Sequence, residues 1–318
     1  MTVLVLTADL DPTADLVIAE LNRRHVPVVR IDPGDFPAKL SLTAVIDGAG
    51  WRGRVRGQHR DVSVPGIRSV YYRRPSDYRL PAGLAESDHE WSRAEAIAGF
   101  GGVLASLDCL WVNHPHNNRR AGLKPLALAE AARAGLTVPK TLITNEPEQA
   151  RSFVRQLPGK VAAYKPLGAT MPPQDEDERV VLWTNRVTAD EITTGVSATA
   201  HLFQEWIDKA YEVRLTGVGD ELFAAEIHAG SEASRIDFRT DYDSLSYKVC
   251  DVPEAVADGV RSLMAAFGLH YAAMDFLVNN DGTWFLVDLN PNGQFGFVPD
   301  LRDPITTALA NLLEGVPR

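Results

Sequence analysis

The chain has 318 residues, 45% of them hydrophobic and 23% charged, and a net charge of -10 at pH 7. That composition supplies a sizeable core for two or three domains, or for one large domain with lobes. An acidic balance excludes non-specific nucleic-acid binding, which needs dense Lys and Arg to neutralise phosphates; it leaves room for a local basic pocket around a nucleotide.

Met1 to Leu6 is apolar but lacks a basic flank, and Asp9 and Asp11 follow closely, so it reads as a buried strand and not a signal peptide. No run of 18 apolar residues occurs, so no transmembrane helix is expected, and a cytoplasmic protein is. Residues 12–24 carry a helical pattern with Pro12 at the start, and Val26 to Ile31 reads as a second strand. Strand, helix and strand in so short a span predict a βαβ unit and a parallel sheet. It lacks the G-x-G-x-x-G dinucleotide fingerprint. Residues 41–64 alternate as antiparallel strands do, Ser69 to Tyr72 reads as a strand, 86–107 as a helix, and Cys109 to Val112 as a short strand. The two cysteines, Cys109 and Cys250, have no metal-ligand spacing and are expected to be buried reduced thiols.

Asn113 to Arg120 reads as a polar connector, followed by a helix over 122–134 that Gly135 closes. Thr141 to Thr144 is a strand. A helix over 146–156 follows, with Asn145 as its cap and Pro147 in its first turn. After the strand Val161 to Lys165, the Gly/Pro/acid-rich segment Gly168 to Arg179 reads as a mobile loop and Val180 to Thr184 as a strand. A long mixed sheet is expected over 201–290, with an insert near 231–248 and a helix at 253–267. The last helix covers 304–314.

The sharpest local signal is a hairpin. Ala273 to Val278 and Thr283 to Asn290 flank Asn279-Asn280-Asp281-Gly282, and Asp-Gly between apolar runs favours a tight turn. A two-residue turn at Asp281-Gly282 sets Asp275 directly opposite Asp288, where side chains sit about 4.5–5.5 Å apart. Two facing carboxylates repel, and a divalent cation between them removes the repulsion. Asn290, two residues on, shares that face. Hard oxygen donors of this kind suit Mg²⁺. Two unrelated aspartates on a solvated face would carry the same letters.

Other residues bear on a nucleotide. Lys124 opens a helix, and Lys165 ends a strand beside Pro166-Leu167-Gly168, where it can reach phosphate oxygens. The stretch Gln204 to Asp208 is an apolar strand turning polar, whose backbone could read an adenine edge. Glu212 and Arg214 share a strand face, and Asp237-Phe238-Arg239 repeats the acid–x–Arg pattern. Arginines so placed suit forked bonds to phosphate or carboxylate. Singly, each lysine also fits a solvated surface.

In that order, lysine, lysine with Gly loop, acidic hinge, two arginines and Asp…Asp-x-Asn, the residues resemble the ATP-grasp superfamily over roughly 113–295. The resemblance implies an α/β chain: an ATP-grasp fold preceded by a Rossmann-like βαβ lobe. Its divisions would fall at 1–115, 116–198 with a phosphate-covering loop, and 199–318 with the metal hairpin. It further implies that Lys124 and Lys165 bind ATP phosphates, and that Glu205 and Ile207 hold adenine. Asp208 or Glu212 would bind ribose. Arg214 and Arg239 would steady the γ-phosphate and acyl phosphate, and Asp275, Asp288 and Asn290 would bind Mg²⁺, two ions in all. Asp288 stands where the family often has Glu.

Val70-Tyr71-Tyr72-Arg73-Arg74-Pro75, Val138-Pro139-Lys140, Tyr164-Lys165-Pro166 and Asp288-Leu289-Asn290-Pro291-Asn292-Gly293-Gln294 resemble one branch, the graspetide or microviridin-type peptide maturases. Such enzymes activate Asp/Glu side chains of a precursor peptide, with leader and core, as acyl phosphates and join them to Ser/Thr hydroxyls or Lys amines. A homodimer is also implied; nucleic acid and membrane partners are not. The insert Arg235 to Lys248 and the loop at 168–179 are candidates for core contact. Two rival readings share the nucleotide residues: a ligase of free amino acids or of glutamates on a protein tail, and a nucleotide-binding module without catalysis. His114 and His116 form an H-x-H pair with no third partner in sequence; His228 and His270 read as core or strand-face residues.

Overall fold

The structure, a computed structural model, describes residues 1–48, 50–58, 60–168 and 183–315. Strand β1 (Thr2–Leu6) buries four consecutive apolar residues, as a strand covered on both faces must. Helix α1 (Pro12–Arg23) starts where Asp11 accepts the N–H groups of Thr13 and Ala14, with Pro12 in its first turn. It returns the chain to β2 (Val28–Ile31), parallel to β1. Strands β3 (Ser41–Ile46), β4 (Trp51–Arg56) and β5 (Asp61–Ser63) form a small antiparallel sheet. Strand β6 (Ile67–Tyr72) then joins β1 on its other side. The expected helix over 86–107 is α2 (Glu86–Ala96), a π-helical turn at 97–101 and α3 (Gly102–Ala105), leading to β7 (Leu110–Val112). The parallel sheet reads β2-β1-β6-β7, so chain order reverses between β1 and β6.

The connector after β7 is itself helical. Helix α4 (Pro115–Ala121) places Pro115 in its first turn, and α5 (Lys124–Arg133) follows. Asn and His obscure it, since two polar turns have no apolar periodicity to read. Gly135 is left-handed (φ 83°), as a glycine after a helix often is. Strand β8 (Thr141–Thr144) leads to α6 (Pro147–Gln156), capped at Glu146 instead of Asn145; Thr144 Oγ1 takes the Glu146 N–H at 2.9 Å. Strands β9 (Val161–Lys165), β10 (Asn185–Thr188) and β11 (His201–Glu205) complete a sheet of order β10-β9-β11-β8. The loop expected after Gly168, and the expected strand up to Leu182, lie outside the described residues; Trp183 and Thr184 precede β10 without joining a strand.

Strands β12 (Lys209–Val218) and β13 (Glu221–His228), helix α7 (Glu232–Ile236), strand β14 (Ser246–Val249), helix α8 (Glu254–Phe267), and strands β15 (Tyr271–Asn279) and β16 (Trp284–Asn290) build the largest sheet, β14-β13-β12-β15-β16. The single mixed sheet expected over 201–290 is therefore two sheets, antiparallel throughout, and the chain passes between them at 206–208. Helix α9 (Pro299–Glu314) begins five residues before Pro304, which reads as a helix start but lies inside; buried Leu301, Ile305 and Leu309 carry the apolar face across it. It packs in one core with Val3, Val5, Val17 and Leu21, and Ser69 Oγ donates to the Leu313 carbonyl at 2.7 Å. The C-terminal helix is thus part of the N-terminal lobe's core. Cys109 and Cys250 are free thiols, and only half-buried, contrary to expectation. No helix among the described residues is long and apolar enough to cross a membrane.

Candidate active site

The hairpin of β15 and β16 sets Asp275 opposite Asp288, but not by the predicted route. The turn is longer by one residue: Asn279 N donates to Thr283 O (3.2 Å) and Gly282 N to Asn279 O (3.0 Å), with Gly282 at φ 78°. That register alone would pair Asp275 with Val287. A bulge at Val287 restores the opposition, because Phe276 pairs with Leu286 and Asp275 with Asp288. The extra residue lets Val287, Asp288 and Asn290 all line one cavity with Asp275.

Each acid already holds a cation. Lys124 Nζ lies 2.6 Å from Asp288 Oδ1, and Arg214 Nη1 lies 2.6 Å from Asp275 Oδ1. Repulsion between the acids is therefore met by these two partners, and the pair is tolerable without the divalent cation expected between them. Burial pushes the Asp288 carboxyl up, but Lys124, Lys165 and Arg239 outweigh it and hold it below the usual carboxylate range. Burial works against the Arg214 charge too, and Asp275 more than offsets it, raising its pKa.

These pairs engage one oxygen of each carboxylate. The second oxygens, with Asn290 Oδ1, form a hard donor set of the kind that Mg²⁺ shares with water and phosphate. Asn290 Oδ1 also accepts the Asn292 N–H at 3.0 Å, which fixes the side chain and leaves a lone pair. Three oxygen donors suit Mg²⁺, although no group of three His, Cys, Asp or Glu gathers as a metal cluster among the described residues.

The cavity holds about 370 Å³, in the range of small-molecule sites. Lys124, Lys165, Lys209 and Arg239 are its cations. Three carry an acid: Lys124 as above, Lys209 with Glu212 at 2.7 Å, and Arg239 with Asp237 through two bonds of 2.8 and 2.5 Å. Lys165 has none among the described residues; its Nζ donates to Gln204 Oε1 at 3.1 Å. Burial pulls its pKa down to about 8, Asp288 resists and Lys124 reinforces the fall. Burial pushes the Glu212 carboxyl up, against the pull of Lys209.

The passage between sheets lines one end. Glu205 and Ile207 both face the cavity, as does Trp206. The Glu205 N–H is spent on the Lys140 carbonyl (2.8 Å), while Ile207 N–H meets no acceptor among the described residues. Of the two ribose candidates Glu212 lines the cavity; Asp208 is exposed and does not. Arg214 lies behind Asp275 and is not part of the lining.

Several residues here carried no assignment from sequence. Asp237 accepts the Thr184 N–H (3.2 Å) besides gripping Arg239, and the Arg239 guanidinium lies 5.4 Å over the Trp183 ring. The Asp-x-Arg spacing was the available signal for that grip. Asn113 satisfies its whole amide at the start of β15 and on the loop after β16: Nδ2 donates to Tyr271 O and Pro291 O, and Oδ1 accepts from His270 N and Tyr271 N. Arg73 Nη1 donates to the carbonyls of Asn292 and Gly293, both at 3.2 Å, and Tyr271 Oη to Gly293 O at 2.7 Å. The loop 290–294 is thus fastened from the N-terminal lobe. His114 serves locally, its Nε2 lying 3.1 Å from the Ala105 carbonyl.

The cavity between the two antiparallel sheets is lined by four cations and five carboxylates, with the connecting passage in its wall, a mixture that suits a nucleotide together with a divalent cation. The chain has the ATP-grasp fold. A family profile described as the MvdD pre-ATP grasp domain matches residues 2–119. Among solved structures, the macrocyclase MdnC of Microcystis aeruginosa MRC, bound with precursor peptide MdnA, is similar at 27% identity and TM-score 0.86, covering 99% of this chain and 100% of that one. Macrocyclase MdnB of the same organism follows at 25% and 0.78, covering 98% of both. A RiPP-associated ATP-grasp ligase of Chryseobacterium gregarium, in complex with ADP and a leader and core peptide, superposes at TM-score 0.89 with 24% identity, covering 100% of this chain and 98% of that one. No curated protein matches the chain. The ATP-grasp likeness spans both lobes, and the βαβ lobe is the pre-ATP-grasp part.

Proposed function

We propose that this protein is an ATP-dependent carboxylate ligase that crosslinks a ribosomal precursor peptide, forming esters from Ser/Thr or amides from Lys. The observation that carries this reading is the arrangement of Asp275, Asp288 and Asn290 in one cavity with the acid-free Lys165. Length-wide similarity to the macrocyclase MdnC supports the peptide substrate.

Glu205 and Ile207 hold the adenine edge through their backbone, and Glu212 takes the ribose hydroxyls. Lys124 and Lys165 bind the phosphates; Lys124 exchanges part of its bond to Asp288 for them. Asp275, Asp288 and Asn290 hold Mg²⁺, which supplies charge neutralisation on the phosphate oxygens when bound. The peptide carboxylate attacks the γ-phosphorus in line, the bond to the bridging oxygen breaks, and ADP leaves. Arg239, oriented by Asp237, neutralises the charge in flight, and Arg214, behind Asp275, holds that carboxylate in place. A hydroxyl or amine then attacks the acyl carbon and inorganic phosphate departs, its proton going to solvent.

The test is mass spectrometry of the peptide encoded beside the gene after incubation with ATP and Mg²⁺. Each ring removes one water and releases one ADP, whereas transfer of free amino acids adds mass. Asp288→Ala keeps the fold and loses product. Retained turnover in that variant removes Asp288 from the site.

A further inference from the structure

The reversal of chain order between β1 and β6 opens a crevice at their carboxyl ends, where open α/β sheets bind ligands. Here it is walled by the residues after β1, Thr7 to Asp11, by Arg73 and Arg74 after β6, and by the loop 290–294. Ala8 N donates to Arg74 O at 3.0 Å, and Arg74 Nη2 reaches Asn292 O at 3.4 Å. Arg74 therefore meets the same loop whose Asn290 and Pro291 line the nucleotide cavity.

The other arginines around the loop are matched by acids. Arg73 pairs with Asp11 (3.3 Å), Arg214 with Asp275 (2.6 Å) and Arg239 with Asp237 (2.5 Å). Arg74 is exposed and forms no ion pair among the described residues; Asp9, exposed in the same crevice, makes none with it. The acid acting on it most, Asp11, is already bonded to Arg73, Thr7 and the start of α1. Arg73, whose buried Nη2 has no acceptor, and Arg214 add positive potential. Leu10, two residues past the Ala8 whose N–H meets the Arg74 carbonyl, is 93% exposed, an uncovered apolar side chain.

We propose that Arg74 is a carboxylate-binding specificity residue for the acidic peptide substrate, with Leu10 supplying an apolar contact. The inference rests on the ligase reading and adds a second contact, on the N-terminal-lobe side of the loop. A guanidinium binds a carboxylate through two parallel bonds, so the fork discriminates Glu or Asp from Gln or Asn.

The probes are acetyl-Glu-Glu-Glu-amide and acetyl-Gln-Gln-Gln-amide, titrated calorimetrically into the full chain saturated with ADP and Mg²⁺. Wild type binds the glutamate probe about tenfold more tightly than the glutamine probe, as a charged hydrogen bond implies. Arg74→Ala abolishes that preference, Arg74→Lys retains part of it, and ADP affinity and melting temperature stay unchanged in both. Equal binding of the two probes by wild type, absence of any binding, or an undiminished preference in Arg74→Ala overturns the proposal. Failure of wild type to bind ADP with Mg²⁺ sinks the ligase reading itself, whichever way the peptide arm falls.

Discussion

Lys165 ties the site to pH in a measurable way. Burial and Lys124 lower its pKa to about 8 from an ordinary 10.5. A polyphosphate beside it favours the charged form and returns the value toward the ordinary one. The free protein at pH 7.5 is then mostly protonated at Lys165, while at pH 9 about one molecule in eleven is. The nucleotide complex keeps the proton at both. Binding at pH 9 must therefore take up a proton, and ADP affinity in Mg²⁺ falls about eightfold between pH 7.5 and 9, roughly 1.2 kcal/mol. The phosphates contribute little, since their second ionisation lies near about pH 6. Calorimetry in buffers of different ionisation enthalpy reads proton uptake directly. Lys165→Arg, charged throughout, should flatten the profile. Affinity that is level from pH 7.5 to 9 with no proton uptake would refute the reasoning.

Asp11→Ala leaves Arg73 buried without its acid and should cost about 3–5 kcal/mol in denaturant unfolding. In wild type the same pair gives an acid limb. Burial raises the Asp11 pKa, yet Arg73 and Thr7 hold it below 3.8, so its contribution is full above that value and is lost as pH falls through the folded one. An acid-unfolding curve identical in Asp11→Asn would speak against it. Gly293→Ala would place a Cβ 2.4 Å from Ala273 Cβ and 2.7 Å from Arg214 Nη2. About 1–3 kcal/mol of overpacking and a displaced Arg214 should follow, seen as a lower melting temperature and slower turnover with ADP affinity kept.

Much of the fold was legible because it is written in local patterns. The apolar run of β1, Asp11 and Pro12 at the start of α1, and the parallel return at β2 follow from periodicity and capping. The site's residue types were legible through their order. The short helix α4 was not, since its two polar turns carry no apolar period. Nor was the split of 201–290 into two sheets: a strand's letters tell which face is apolar, not which neighbour it pairs with.

The hairpin shows the division most sharply. Its sequence determined that two strands meet at Asp-Gly with an acid on each. It could not announce that the turn would take one residue more and that Val287 would bulge to compensate, because a bulge is set by what the strand packs against. Likewise, Lys124 and Asp288 stand 164 positions apart and Arg214 and Asp275 61 apart. Which cation would settle on which acid, and which arginine would be left without one, depended on packing between distant segments, where charge and burial are decided together.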